Sequence, residues 1–342
     1  MRLAATLLCA LVWPAFGQYS VQKDGDVIRL EDAGRQMTVS VMPSRGNNAF
    51  DMRVNGKKVL QFPLASPEEF KRRGSMSGIP FLAPWANRLD ETAFYANGRK
   101  YTFNLGLGNV RGPIPIHGLV TTASQWEVVE AKADANAAWV TSRLEFYRQP
   151  DWMAQFPFAH TIEMTHRLSG GVLEVRTVLH NLSAAPIPVA VGFHPYFQVN
   201  DAPRDEWTFS IGARTHWLAN QNIPTGETEA IEKFLPGQPQ GGSLKGVRLD
   251  DLFSDLVRDA SGRALMWLQG KSERVEVAFG PNYKAAVVWF PAGPAQNFIC
   301  FEPMAGITDG MNLAQKGVYK EQQYIQPGQT WQESFWIKPS GF

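Results

Sequence analysis

The chain has 342 residues, with 33 Lys plus Arg against 32 Asp plus Glu and a net charge of +1. That balance, with no long run of like charge, offers no basic field for a phosphate backbone and argues against a nucleic-acid partner. At 44% hydrophobic and 12% aromatic the chain can bury a large core, and 30 glycines with 23 prolines supply the turns of an all-β protein.

The N-terminus reads as a processing signal. Met1-Arg2 is a short positive start, residues 3–12 are apolar but too few to span a bilayer, and Ala15-Phe16-Gly17 places small residues for cleavage before Gln18. Residues 1–17 are therefore expected to be a signal peptide, with an exported chain, periplasmic or secreted. Cys9 would leave with the signal, so the mature chain keeps only Cys300 and has no intrachain disulfide. No other stretch is long and apolar enough to cross a membrane.

Residues 36–42 alternate, with Met37, Val39 and Val41 on one side, and predict a half-buried strand. Asn55-Gly56 predicts a hairpin between 50–54 and 59–62, and Asn97-Gly98 a second between 92–95 and 101–103. Ser66-Pro67-Glu68-Glu69 predicts a short helix capped by Ser66 and ending at Gly74. Between the hairpins, Pro80 and Pro84 break regular structure before Trp85-Ala86-Asn87-Arg88-Leu89. After a glycine- and proline-rich loop over 105–115, Ile116-His117-Gly118 leads into a strand at 126–129. Long alternating strands follow at 138–147, 160–168 and 172–180. His160 and His166 fall on an apolar face and read as structural, as do His180 and His216.

Gly192-Phe193-His194-Pro195-Tyr196-Phe197 follows the apolar run 187–191. Pro195 biases His194 toward extended angles, so the imidazole reads as a strand-end group aimed into a cleft, able to move a proton near neutrality. Phe193, Tyr196 and Phe197 are expected to wall that cleft. Further strands are predicted at 207–211, 264–268, 275–279, 286–290, 298–301 and 334–337. Glu302, after Phe-Ile-Cys-Phe and before Pro303, reads as a partly buried carboxylate whose pKa desolvation would raise toward that of a general base. With no repeat and no composition shift, residues 18–342 predict a single β-rich domain. Metal-ligand spacings, a nucleophile elbow, a phosphate loop and a dinucleotide fingerprint are all absent from the sequence.

The ordered set Asn87-Arg88-Leu89, Ile116-His117-Gly118, Gly192 to Phe197, Leu249-Asp250-Asp251-Leu252-Phe253 and Phe301-Glu302-Pro303 resembles the aldose 1-epimerase (galactose mutarotase) family. The resemblance spans most of the mature chain. It implies a large antiparallel β-supersandwich with few short helices, binding a pyranose in an open cleft without cofactor or metal. By motif match, Glu302 looks like the general base for the anomeric hydroxyl and His194 like the general acid for the ring oxygen. Arg88, with Asn87 before it, and His117 would hold the sugar near the ring oxygen, and Asp250, favoured over Asp251, would accept from sugar hydroxyls. Leu119 where a second glycine is common, Trp85 where a smaller aromatic is usual, and Arg111 as a candidate contact for an anionic substituent bear on the substrate. A free aldohexose such as glucose or galactose is the expected substrate, and a monomer or homodimer the expected state. The alternatives are a phosphorylated or sulfonated hexose, or a non-catalytic carbohydrate-binding protein; a polysaccharide lyase or hydrolase fits less well, because it needs a longer groove.

Overall fold

The computed structural model describes residues 17–73, 76–104, 106, 110–111 (backbone only), 114–291 and 297–342. Residues 1–16 of the expected signal, Gly74 and the Arg111 side chain lie outside the described residues.

Antiparallel sheets dominate. The strands Tyr19–Asp24, Val27–Asp32, Met37–Met42, Asn48–Val54 and Lys57–Lys58 form a five-stranded meander in which each pairs with the next. Asn55 and Gly56 both take the left-handed conformation, at φ 51° and 78°, which their turn requires. A nine-stranded sheet runs in spatial order Glu127–Ala133, Ala138–Glu145, His160–Ser169, Val172–Asn181, Thr330–Ser340, Arg274–Phe279, Ala264–Gln269, Thr208–Ser210 and Gly242–Ser243. A second large sheet runs Ile223–Ala230, Ala213–Asn220, Leu249–Leu256, Ala285–Phe290, Ile299–Met304, Gly192–Phe193 and Phe81–Leu82, with Tyr196–Phe197 also paired to Ile299–Met304. Phe193 of the second sheet meets Phe335 of the nine-stranded one with ring centroids 4.8 Å apart. Buried side chains of both sheets and of the meander share one apolar cluster. The large antiparallel β-supersandwich is what the structure has, with four short α-helices among the described residues.

Local chemistry explains most elements. His160–Ser169 alternates buried and half-buried residues along all ten positions. The helix Pro67–Arg73 starts where Ser66 Oγ accepts from Glu69 N–H at 3.2 Å and Glu69 Oε2 accepts from Ala65 N–H at 2.9 Å. The strand Leu249–Leu256 carries two successive carboxylates, which break the apolar alternation and hide it from the pattern. Ala213–Asn220 and Ile223–Ala230 are similarly polar strands that the sequence pattern misses.

His160 and His166 lie in the core. His160 stacks on Phe146 with centroids 4.2 Å apart, and its Nδ1 meets the Phe158 carbonyl at 2.7 Å. His166 is fully buried, and neither ring nitrogen has a hydrogen-bond partner. Burial lowers His166 to about 3 from an ordinary 6.5. Its unfolded form therefore binds a proton that the folded form rejects between about pH 6.5 and 3, and stability must fall as the solution is acidified through that window. Replacing His166 with leucine is expected to flatten this fall, by on the order of 3 kcal/mol at pH 4. Urea midpoints of both proteins from pH 7.5 to 4 check it, and parallel curves would contradict it.

Candidate active site

Backbone register brings the two central groups together. Gly192 pairs with Met304, and Tyr196 pairs with Cys300. His194, midway between, therefore stands opposite Glu302, midway between on the partner strand. There Nε2 of His194 lies 3.2 Å from Oε1 of Glu302. The same arithmetic extends across the sheet. Glu302 pairs with Val287, and two residues along that strand Trp289 pairs with Asp250. Because side chains alternate between faces, Glu302, Trp289, Asp250, His194 and Tyr196 all point to one side of the sheet.

That side is an open cleft of about 730 Å³. The opposite wall comes from two loops stitched to each other. His117 N–H donates to the Asn87 carbonyl at 2.9 Å, Leu89 N–H to the Pro115 carbonyl at 3.1 Å, and Arg88 bridges Ile116. Asn87, His117 and Gly118 are left-handed, at φ 55°, 61° and 65°. These angles turn the side chains of Arg88 and His117 inward, and strain of this kind gathers at binding sites. A Cβ on Gly118 would sit 2.1 Å from the Ala83 carbonyl oxygen. Gly118→Ala is expected to cost on the order of 2–4 kcal/mol, readable as a lower urea midpoint, whereas an unchanged midpoint would contradict this tight approach.

Arg88 Nη1 donates to Asn87 Oδ1 at 2.9 Å, and Nη2 to Asp250 Oδ2 at 3.3 Å. The His117 and His194 rings meet edge to face, with centroids 5.5 Å apart. His194 stacks on Tyr196 at 4.8 Å and meets the edge of Trp289 at 5.5 Å. Phe298 closes an aromatic wall, 5.1 Å from Tyr196 and 5.3 Å from Trp289.

Both central groups are buried, His194 with 7% of its surface exposed and Glu302 with 1%. Burial lowers His194 to about 3, and positive Arg88 pushes the same way. Burial raises Glu302 well above the ordinary carboxylate range, and the Asp250 charge adds to it while Arg88 opposes it. Both shifts disfavour charge, so burial favours the neutral pair, in which one proton lies between two atoms in contact. Neither His194 Nδ1 nor Glu302 Oε2 has a hydrogen-bond partner. Among the described residues no group of three His, Cys, Asp or Glu is placed to hold a metal ion. The arrangement can give a proton to one atom and take one from its neighbour.

The catalytic and sugar-binding residues that the sequence nominated, Asn87, Arg88, His117, His194, Asp250 and Glu302, all line this one cleft, as does the expected wall Tyr196. Asp251 faces away; its Oδ1 lies 3.2 Å from Nε2 of His216, whose Nδ1 lies 3.1 Å from Glu229. His216 thus has two carboxylate partners that sequence proximity does not reveal. Two expected walls are wrong. Phe193 and Phe197 are fully buried, because residues alternating with His194 and Tyr196 must face the core. Trp85 is likewise core, its ring tilted against Phe103 with centroids 4.7 Å apart. The lining residues Trp289, Phe298, Gln61, Pro63 and Met76 were not nominated. Trp289 is the single half-exposed position in the otherwise buried strand Ala285–Phe290, a distinction that only the structure reveals.

Comparison with known proteins agrees with this fold. The family model of aldose 1-epimerase matches residues 26–338. A galactose mutarotase-like protein of Clostridium acetobutylicum shares the fold, with a TM-score of 0.81 and 22% identity over 95% of this chain and 98% of that one. Galactose 1-epimerase from Lactobacillus acidophilus NCFM aligns with a TM-score of 0.71 and 16% identity over 95% and 98%. The uncharacterised protein YihR of Escherichia coli K12 is 22% identical over 173 residues, and the chain spans about half the length of this curated relative.

Proposed function

The chain belongs to the aldose 1-epimerase family, and on that premise we propose that it is a mutarotase interconverting the α and β anomers of a free aldohexose such as glucose or galactose. One observation carries the proposal: the 3.2 Å contact of His194 Nε2 and Glu302 Oε1 at the floor of the cleft. The anomeric hydroxyl oxygen and the ring oxygen are bonded to the same carbon. An acid and a base in contact suit two such neighbouring oxygens. The carboxyl pair of a glycosidase, by contrast, stands about 5–9 Å apart across the bond it cleaves.

Glu302 as carboxylate takes the proton of the C1 hydroxyl. The C1–O bond to the ring oxygen breaks as the C1 carbonyl forms, and His194 as imidazolium gives its proton to the ring oxygen. Rotation about C1–C2 presents the other carbonyl face, and closure reverses both transfers. Carboxylate plus imidazolium has the same proton count as the contact pair, so the enzyme ends each turnover as it began. Arg88 favours the carboxylate form of Glu302 and, with Asn87, His117 and Asp250, holds the sugar hydroxyls. Trp289, Tyr196 and Phe298 give the apolar C–H face of the sugar a surface to rest on.

Arg88 is the only Lys or Arg among the described lining residues, and it is already engaged by Asn87 and Asp250. A neutral hexose therefore suits the cleft better than a phosphorylated or sulfonated one. A purely binding protein would have no use for a buried acid–base pair. The export signal read in residues 1–17 makes an exported, single-domain protein part of the same proposal. Polarimetry of freshly dissolved α-glucose and α-galactose tests it. Acceleration by catalytic amounts of protein supports the proposal, whereas sugar binding without acceleration of any common aldose would establish a binding protein.

A further inference from the structure

The Asn87–Asp90 segment is held on the cleft side by residues 115–117, and something must hold it from behind. Asp309 stands there. Its N–H donates to the Arg88 carbonyl at 3.1 Å, and its Oδ1 accepts from Asp90 N–H at 2.9 Å. Asn312 Nδ2 braces the same Oδ1 at 2.7 Å and donates to the Ala93 carbonyl at 3.2 Å. Asp309 reaches both groups only because it is left-handed, at φ 59°, a conformation that Asp and Asn tolerate better than other non-glycine residues. Asp309 and Asn312 are buried.

The chain connection adds to this. Asp309 lies seven residues after Glu302 on the same continuous segment, and within that segment Ala305 N–H donates to the Val191 carbonyl, three residues before His194. One stretch of backbone thus carries Glu302, pins the strand of His194 and grips Arg88 from behind. We propose that Asp309 is a positioning residue that fixes the Arg88 guanidinium at a set distance from the Glu302–His194 pair. The inference rests on the assignment of Arg88 to sugar binding.

Burial raises the Asp309 carboxyl to about 7, with the Asp90 carboxylate adding to the rise and Lys316 and the hydrogen bonds from Asp90 N–H and Asn312 opposing it. A neutral, isosteric side chain should therefore serve almost as well. This separates the useful substitutions. Asp309→Asn keeps the Oδ1 acceptor and the left-handed backbone. Asp309→Gly keeps the backbone and its N–H but loses the acceptor.

Anomerisation kinetics in two backgrounds test the proposal. Asp309→Gly should lower kcat/KM by about tenfold or more, since misplacement by about 1 Å can cost as much as 100-fold, while Asp309→Asn stays within about threefold of wild type. In the Arg88→Gln background the glycine substitution should cost less than about twofold, because the group it positions is gone. An equal loss in both backgrounds, or no loss in either, would overturn the proposal. If Asp309→Gly does not fold, Asn312→Ala, which removes the brace on Oδ1 together with the bond to the Ala93 carbonyl, takes its place in the same cycle. The Nε–Hε NMR signal of Arg88 reads the positioning without any activity. It should shift or broaden in Asp309→Gly and stay put in Asp309→Asn; an unmoved signal in both refutes the positioning. Should wild type fail to interconvert anomers, the functional reading falls, and this signal still decides the role of Asp309.

Discussion

Replacing Glu302 with glutamine is expected to slow anomer interconversion by a factor of about 10²–10⁴, the range over which a positioned general base contributes. Glutamine matches the carboxyl in shape and can still meet His194, but it cannot take the proton of the C1 hydroxyl. Its effect on stability should have the opposite sign. The folded-state pKa of Glu302 is raised above its ordinary 4.5. The folded form therefore binds the proton more tightly than the unfolded one, and wild type loses stability as pH climbs from about 4.5 through the raised value. A glutamine amide does not titrate and carries no such penalty. The variant should thus be at least as stable as wild type at pH 7, with the margin growing as pH rises through the raised value. Rate by polarimetry and urea midpoints at three pH values check both halves. Full activity in Glu302→Gln would remove Glu302 as the base, and a variant that unfolds more easily at pH 9 than wild type would contradict the buried-acid account.

His194→Asn is the second large effect. Asparagine is polar but holds no exchangeable proton of suitable acidity, so the ring oxygen leaves without its proton donor. The rate should fall by about 10²–10⁴, while sugar affinity changes only a few-fold, since Arg88, His117 and Asp250 remain. The stability consequence again follows from the shift. His194 is lowered to about 3 in the folded state against an ordinary 6.5. Wild type therefore loses stability as pH falls through that window, and the asparagine variant should lose less there. Parallel measurement of kcat, KM and the midpoint at pH 5 and 7 separates these outcomes. A variant within tenfold of wild-type kcat would assign the acid elsewhere.

The candidate site was legible in sequence because its residues stand at strand ends and loop tips, where a polar side chain beside apolar neighbours is conspicuous. Glu302 after Phe-Ile-Cys-Phe and His194 between Phe193 and Pro195 are of this kind. What sequence pattern misses depends on which face of a strand is which. Asp250 and Asp251 are adjacent, and only the pairing of Asp250 with Trp289 puts one in the cleft and the other against His216. Phe193 and Phe197 look like site walls because they flank the histidine, but alternation sends them into the core. Polar strands such as Leu249–Leu256 escape a hydrophobic-period reading, since Asp250 faces the cleft and the adjacent Asp251 meets His216. Asp309 gave no signal, because its role is exercised through backbone groups more than two hundred residues away in sequence.

Glu302 and His194, touching at the floor of the cleft, are proposed to exchange two protons with neighbouring oxygens of one sugar carbon. Exchange NMR on an equilibrated hexose reads that chemistry at the anomeric carbon itself. Wild-type protein in catalytic amount should produce cross-peaks between the α and β C1–H signals, and Glu302→Gln at the same concentration should bind the sugar without producing them. Cross-peaks of equal intensity with both proteins, or with neither, would contradict the account.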